Sequence, residues 1–377
     1  MPIDYVPGLA GIPAAESSVS FINGQEGILE YRGYPIGDLA EKSTFEETAY
    51  LLLFGDLPSR SDFGTFNRKL IQHRPVKFHI VDLIKSLPDG GHPMNMLQAS
   101  VTALAMLYPA RNVSDPEVQR LTALRLVAKL PTLVALFHRL RQGLDPIPPR
   151  EDLSHAANFL YMLNGKEPDP IAGRVMDACL ILHADHTMNA STFTARVIAS
   201  TLADGFSVIS GAVGSLSGPL HGGANEAVLD FLAEIGDSAR AREALETKLR
   251  NKEKIMGLGH RVYKVKDPRA YILQRLAGQL FDRLGTSSYY EIACEVEKAA
   301  EELLGEKGIY PNVDFYSGIL YERLDIPRDL FTPIFAVSRV AGWCAHWLEQ
   351  LEDNRIFRPR QIYQGKRDRQ YVALNQR

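Results

Sequence analysis

Ser43-Thr44-Phe45-Glu46-Glu47-Thr48-Ala49-Tyr50-Leu51-Leu52-Leu53-Phe54-Gly55-Asp56-Leu57-Pro58 is a helix written out with both of its ends. Ser43-Thr44-Phe45-Glu46 fits a capping box, in which a hydroxyl takes an orphan N–H of the first turn and a carboxylate reaches back. Ala49 to Phe54 supply a buried face, Gly55 the stop, and Pro58 cannot continue the helix. The same grammar recurs at 62–74, 76–86, 94–107, 116–141, 152–163 and 171–182, with Gly, Pro, Asn or Asp clusters between. It continues from Ala190 through Ala203 and returns at 225–235, 239–251, 270–284, 289–304, 318–321 and 333–351. Only Ser20 to Tyr31 alternates like strands around a Gly-containing turn. The expected fold is therefore all-α with a small N-terminal β-hairpin. Pro131 predicts a kink or break in 116–141, and Arg125, Lys129 and Arg139 argue against a membrane span there. Gly205, Gly211, Gly214, Gly218, Gly222 and Gly223 mark a stretch where the backbone bends or packs closely, with a domain boundary expected near residue 220.

At 377 residues, and ~150 residues per domain, the chain holds two to three units and can enclose a sizeable active site. Apolar residues at 45% and charged residues at 23% are ordinary globular values, which excludes wholesale disorder. The charge, 42 − 45 = −3, gives no global basic excess for nucleic acid or an anionic membrane, so any phosphate must be held locally. Cys179, Cys294 and Cys344 are far apart, which excludes a disulfide scaffold and a C-x-x-C pair. Met1-Pro2-Ile3-Asp4-Tyr5 lacks the basic and apolar regions of a signal peptide, so a cytoplasmic location is expected.

Four polar clusters interrupt the helical pattern, where side chains can be displayed on a rigid frame. They are 183–189 (His183, Asp185, His186, Asn189), 218–225 around His221, 257–269 and 311–318 around Asp314. His221 precedes two glycines and a helical run. A helix N-terminus keeps imidazole neutral, able to donate to an oxygen gaining charge, although a buried histidine satisfied by a carbonyl fits the same sequence. Gly257-Leu258-Gly259 is no dinucleotide fingerprint, because no strand precedes it and the third glycine is missing. What remains is a turn presenting His260, Lys264, Lys266 and Arg269, cations suited to phosphates and carboxylates or simply a solvated loop. His183 and His186 lack the further ligands of a metal site, and Ser215 and Ser217 lack a nucleophile elbow. Asp314 is either a proton-transfer carboxylate or a helix N-cap.

Together these residues resemble the citrate synthase family over nearly the whole chain. The opening Gly27-Ile28-Leu29-Glu30-Tyr31-Arg32-Gly33-Tyr34 is similar to the family's, and Gly257 through Arg269 fits its signature Gly-x-Gly-His-x-Val…Lys-x-x-Asp-Pro-Arg. Leu258 departs from it, standing where an aromatic or smaller residue is usual. The resemblance implies that Asp314 takes a proton from the acetyl-CoA methyl while His221 hydrogen-bonds the thioester oxygen. His260 would donate to the oxaloacetate carbonyl, and hydrolysis of citryl-CoA would give citrate and CoA for the tricarboxylic acid cycle. Arg269, Arg339 and Arg358 would hold the carboxylates, with His186 and Asn189 adding hydrogen bonds. Arg358 would reach in from a partner subunit, with Arg360 as the competing choice, and a homodimer is expected. CoA would lie against Lys254, Ile255, Met256, Gly257, Leu258, Lys264 and Lys266. No metal or nicotinamide cofactor is implied. The family's fold is two helical domains: a large one from 1–221 and 320–377, and a small insert at 222–319. A 2-methylcitrate synthase using propionyl-CoA, or a catalytically silent helical regulatory homologue, are the alternatives.

Overall fold

The computed structural model describes residues 5–110, 112–260 and 262–377; Met1–Asp4 at the N-terminus, and Arg261 of the signature, lie outside the described residues. Strand β1 (Ser20–Asn23) pairs antiparallel with β2 (Ile28–Tyr31), the hairpin that alternation predicts, in the register Ser20 to Tyr31 and Asn23 to Ile28. A two-residue β3 (Tyr34–Pro35) extends this sheet. Sixteen α-helices follow among the described residues. The first eight are α1 (Ile36–Lys42), α2 (Phe45–Phe54), α3 (Arg60–His73), α4 (Phe78–Lys85), α5 (Pro93–Leu107), α6 (Pro116–Arg141), α7 (His155–Asn164) and α8 (Pro170–His183). The rest are α9 (Ala190–Ala199), α10 (Gly205–Leu216), α11 (Ala224–Ile235), α12 (Ala241–Arg250), α13 (Pro268–Leu284), α14 (Ser288–Leu304), α15 (Val313–Arg323) and α16 (Phe331–Glu352).

In α2 the capping residue is Thr44, one position later than expected, and its side chain accepts from Glu47 N–H. Ser43 Oγ donates to Glu47 Oε2 at 2.6 Å. Glu46 is therefore released from capping; it is buried and accepts His155 N–H at 2.7 Å, tying α2 to the start of α7. Gly55 ends the helix with φ +95°, a conformation that glycine adopts without steric cost.

Of two further expectations, one meets a different structure and the other is decided between its alternatives. Helix α6 runs unbroken through Pro131. It is long and apolar enough to cross a membrane, but 89% of its most apolar stretch is buried inside the protein. The glycine-rich stretch, expected to bend or to pack closely, contains α10. Here glycine serves close approach: a Cβ on Gly205 would sit 2.6 Å from the Trp347 ring, one on Gly214 2.5 Å from Gln98 Nε2, and one on Gly211 would collide with Ile198. Tight packing thus overrides the weak helix propensity of glycine.

Helix α16 is the central post. It packs on α2, α6, α8, α9 and α10 and carries the fully buried Trp343 and Trp347. Helices α11 to α15 pack mainly on one another, through α11 with α15, α12 with α14 and α13 with α15. They meet the remainder where α13 touches α1 and α8 and α11 touches α16. The sequence clusters that carry chemistry lie along this meeting line.

Candidate active site

The loop from His183 to Asn189 joins α8 to α9 and is fastened from several sides. Tyr31 Oη takes Asp185 N–H at 3.1 Å and faces the carbonyls of Asp185 (2.9 Å) and Ile181 (3.1 Å). The buried Asp185 carboxylate accepts from Ser20 Oγ and from Thr187 N–H at 3.0 Å, and its other oxygen is 3.3 Å from His346 Nε2. Gly342 of α16 lets that helix reach the loop: its N–H donates to Ala184 O at 3.1 Å, and a Cβ there would strike Ala184 O and Asp185. Asn189 caps α9 by accepting Thr192 N–H, while its amide nitrogen donates to His186 O, Thr187 O and Thr192 Oγ1. Its polar atoms are thus committed to shaping the loop. His183 ends α8 with Nδ1 on Cys179 O at 2.7 Å, while His186 lies beyond it in the loop, so the two do not share a helix face.

His186 is buried and its Nε2 lies 3.3 Å from Tyr263 Oη. Burial first, and then the Arg269 charge, hold it well below the usual imidazole range, so the ring is neutral at pH 7. Its ring is 5.2 Å from that of His260, centroid to centroid.

His260 follows two glycines with φ +80° and +82° at Gly257 and Gly259. The turn is clipped to the segment before α15. Gly259 N–H donates to Tyr310 O at 2.8 Å, Asn312 N–H to Gly257 O at 2.9 Å and Asn312 Nδ2 to Gly259 O at 3.0 Å, around a bridge between Leu258 and Pro311. A Cβ at Gly257 would sit 2.6 Å from Val228 Cγ2 and 2.9 Å from the Phe315 ring. His260 Nδ1 accepts N–H groups from Val262 (3.0 Å) and Tyr263 (3.3 Å). Backbone N–H groups only donate, so the ring proton sits on Nε2. Burial, then Arg269, push its pKa down to about 4. His260 is a neutral imidazole with Nε2–H to give.

Asp314 is the second residue of α15 and not its cap, because Asn312 Oδ1 takes the Asp314 N–H at 3.0 Å. Its Oδ1 is buried without a hydrogen-bond partner among the described residues. Burial pushes its pKa up to about 6, against the lowering influence of Arg269 and Arg339. Such a carboxylate is a usable base just above pH 6.

The two central arginines are buried. Arg269 is held in a two-pronged pair by Asp267, Nε to Oδ1 at 3.0 Å and NH2 to Oδ2 at 2.7 Å, and Asp267 also caps α13. Arg339 donates Nε to His183 O at 2.7 Å and lies over the Phe335 ring. Burial lowers its pKa to about 10. Among the described residues Arg269 NH1 and both terminal nitrogens of Arg339 have no hydrogen-bond partner.

His221 lies three residues ahead of α11, near the α9 N-terminus. Its Nε2 is 3.2 Å from Ser191 N–H and 2.9 Å from Ser191 Oγ, which also takes Trp343 Nε1–H at 3.1 Å. The donor-only N–H selects the ring form whose proton is on Nδ1. Arg358 is not brought to this cluster within one chain: it is exposed, bonds only Pro359 O among the described residues, and lines a surface groove of about 1090 Å³ with Phe193, Phe357 and Glu349. Lys254 and Lys264 are exposed, Ile255 and Gly257 are buried, and Met256 and Leu258 are half-buried. Lys266 is ion-paired to Glu297. No group of three His, Cys, Asp or Glu among the described residues is arranged to hold a metal ion.

Tyr31, Tyr263, Ser191 and Asn312 were not singled out by sequence. Asn312 had a readable signal, an Asn before an apolar helical start; Tyr31 and Ser191 act across more than a hundred and across 30 residues respectively.

The arrangement offers a buried base, two imidazoles whose ring protons are placed by backbone N–H donors, and guanidinium N–H groups for carboxylates. The family model described as "Citrate synthase, C-terminal domain" matches residues 8–360. A citrate synthase of Synechocystis sp. is 58% identical over 99% of this chain and 94% of its own length. One of Acidithiobacillus ferridurans is 52% identical over 99% of both. Among solved structures, citrate synthase of Pyrobaculum aerophilum superposes with TM-score 0.92 at 43% identity, covering 98% of this chain and 95% of its own. A ternary complex of carboxymethyl coenzyme A and oxaloacetate with citrate synthase of Thermoplasma acidophilum gives TM-score 0.91 at 33% identity, covering 97% and 98%.

Proposed function

We propose, from the premise that this chain belongs to the citrate synthase family, that it condenses acetyl-CoA with oxaloacetate and hydrolyses citryl-CoA to citrate and CoA. The observation that carries the reading is Asp314: a carboxylate with a buried, unpartnered oxygen and a pKa raised to about 6, clipped beside a histidine whose only ring proton is on Nε2.

In this reading Asp314 removes a methyl proton from the thioester, and His221 Nδ1–H donates to the thioester oxygen as it gains enolate character. His260 Nε2–H donates to the oxaloacetate carbonyl, so that its carbon accepts the new bond. Water then cleaves the thioester, releasing CoA. Arg269 and Arg339 take the carboxylates through their remaining N–H groups. Asp267 already neutralises Arg269, so one chain offers a dianion little net charge. This supports a third cation, Arg358, supplied by a second copy in a homodimer. Mixing Arg358→Ala with His260→Ala protein then restores part of the activity, whereas no recovery after verified subunit exchange removes Arg358 from the shared role.

CoA lies along 254–258 and Lys264, and residues 222–319 close on the remainder of the chain, excluding water during condensation. The reaction runs in the cytoplasm. The test is thiol release with oxaloacetate plus acetyl-CoA and then propionyl-CoA. Faster release from acetyl-CoA is expected, and silence with both donors would end the reading.

A further inference from the structure

We infer that Lys266, Gln274, Glu297 and Tyr316 form a clasp that positions His260 and Asp314 from behind, so that Lys266 is a positioning residue and no phosphate ligand; this rests on the condensation reading. Glu297 of α14 is buried at 8% exposure. Lys266 Nζ and Tyr316 Oη donate to its two oxygens at very short range, and Gln274 Nε2 donates at 2.6 Å. Lys266 Nζ also donates to Gln274 Oε1 at 2.9 Å and lies 4.2 Å over the Tyr271 ring. The glutamine turns its oxygen to the ammonium and its nitrogen to the carboxylate, which closes a ring of hydrogen bonds.

The four residues come from four places: the loop before α13, then α13, α14 and α15. Lys266 directly precedes Asp267, which grips Arg269. Tyr316 lies two residues beyond Asp314 in the first turn of α15. The clasp therefore holds both segments that the Leu258 and Pro311 bridge joins at the front. Both members of the ion pair are only 10% exposed at the side chain, whereas Lys264 is exposed and free to meet a polyphosphate. A desolvated pair with every polar atom engaged fixes geometry, and a misplacement of about 1 Å at a reacting centre can cost ~10²-fold in rate.

The variants are Tyr316→Phe, which leaves the ion pair intact, and the double change Lys266→Met with Glu297→Gln, which removes both charges together. Each is assayed with acetyl-CoA and acetyl-3′-dephospho-CoA. Expected are circular dichroism like the wild type, kcat lowered about tenfold or more, KM for acetyl-CoA within about twofold, and an unchanged preference between the two donors. The amides of Gly259 and Asn312, whose bonds close the front bridge, exchange faster with deuterium in both variants. A raised KM with loss of the preference for the 3′-phosphorylated donor would make Lys266 a phosphate ligand and overturn the clasp. Wild-type protection of those amides overturns it irrespective of activity, which separates its failure from failure of the condensation reading.

Discussion

The loop 183–189 and the paired segments 257–260 and 311–314 both bring polar groups to one place, but they are built in opposite ways. The first is fastened by the distant Tyr31, Ser20, His346 and Arg339 side chains, and Asp185 is fully buried. The second turns on two left-handed glycines, is fastened mainly to itself, and leaves one buried carboxylate oxygen without a partner among the described residues. In the proposed reading the first region recognises fixed charges and gains from rigidity, whereas the second moves a proton and needs a group left underbonded.

The largest effect expected is at the underbonded group. Asp314→Asn lowers turnover about 10³-fold, within the range of general-base deletions, read by CoA release. The same change stabilises the protein at pH 8 by roughly 1–3 kcal/mol. With a folded pKa of about 6 against 3.8 unfolded, the buried carboxylate is ionised at a cost above pH 6. That cost fades as pH falls through 6 and is gone below 3.8, so urea unfolding at pH 8 and pH 4 should show the gain only at pH 8. Equal stability at both pH values would mean that Asp314 is not held at a cost.

Next come the two close-approach glycines. Gly342→Ala drives a Cβ into the backbone of the fastened loop and should destabilise by about 3 kcal/mol. Gly257→Ala meets the Val228 and Phe315 side chains and a φ of +80°, a backbone strain of about 1–2 kcal/mol, with a larger proportional loss of kcat. Thermal unfolding alongside kinetics separates them; if Gly257→Ala unfolds more easily than Gly342→Ala, the contrast between the regions is wrong.

The smallest effect is Tyr31→Phe, which leaves the buried Asp185 N–H unpaired for about 1–2 kcal/mol. KM for oxaloacetate rises while kcat holds. A fall in kcat with KM unchanged would instead tie the fastened loop to chemistry.

Much of this was legible because it is local. The hairpin follows from alternation, and the bounds 116–141 match α6 as read. The cap of α2 slipped by one residue because Ser43 and Thr44 both carry hydroxyls, and only the buried partner of Glu46, His155, decides between them. Helix α10 was illegible because glycine carries a bend and a close contact with the same letter, and Trp347 and Ile198 arrive from elsewhere in the chain. Asp314 could be read as a cap or a base until Asn312 was seen to occupy the cap. Lys264 and Lys266 look alike in a row of residues; Glu297 distinguishes them from 31 positions away.

The bridge between Leu258 and Pro311 has a consequence for fidelity. In the proposed reaction, because the two segments are sewn together, the proton donor for one substrate and the proton acceptor for the other cannot arrive separately. In that reading a thioester seated at Asp314 has His260 alongside, placed to polarise the carbonyl of a bound oxaloacetate, so the enolate and the carbon that accepts it are brought to one spot by a single joined unit.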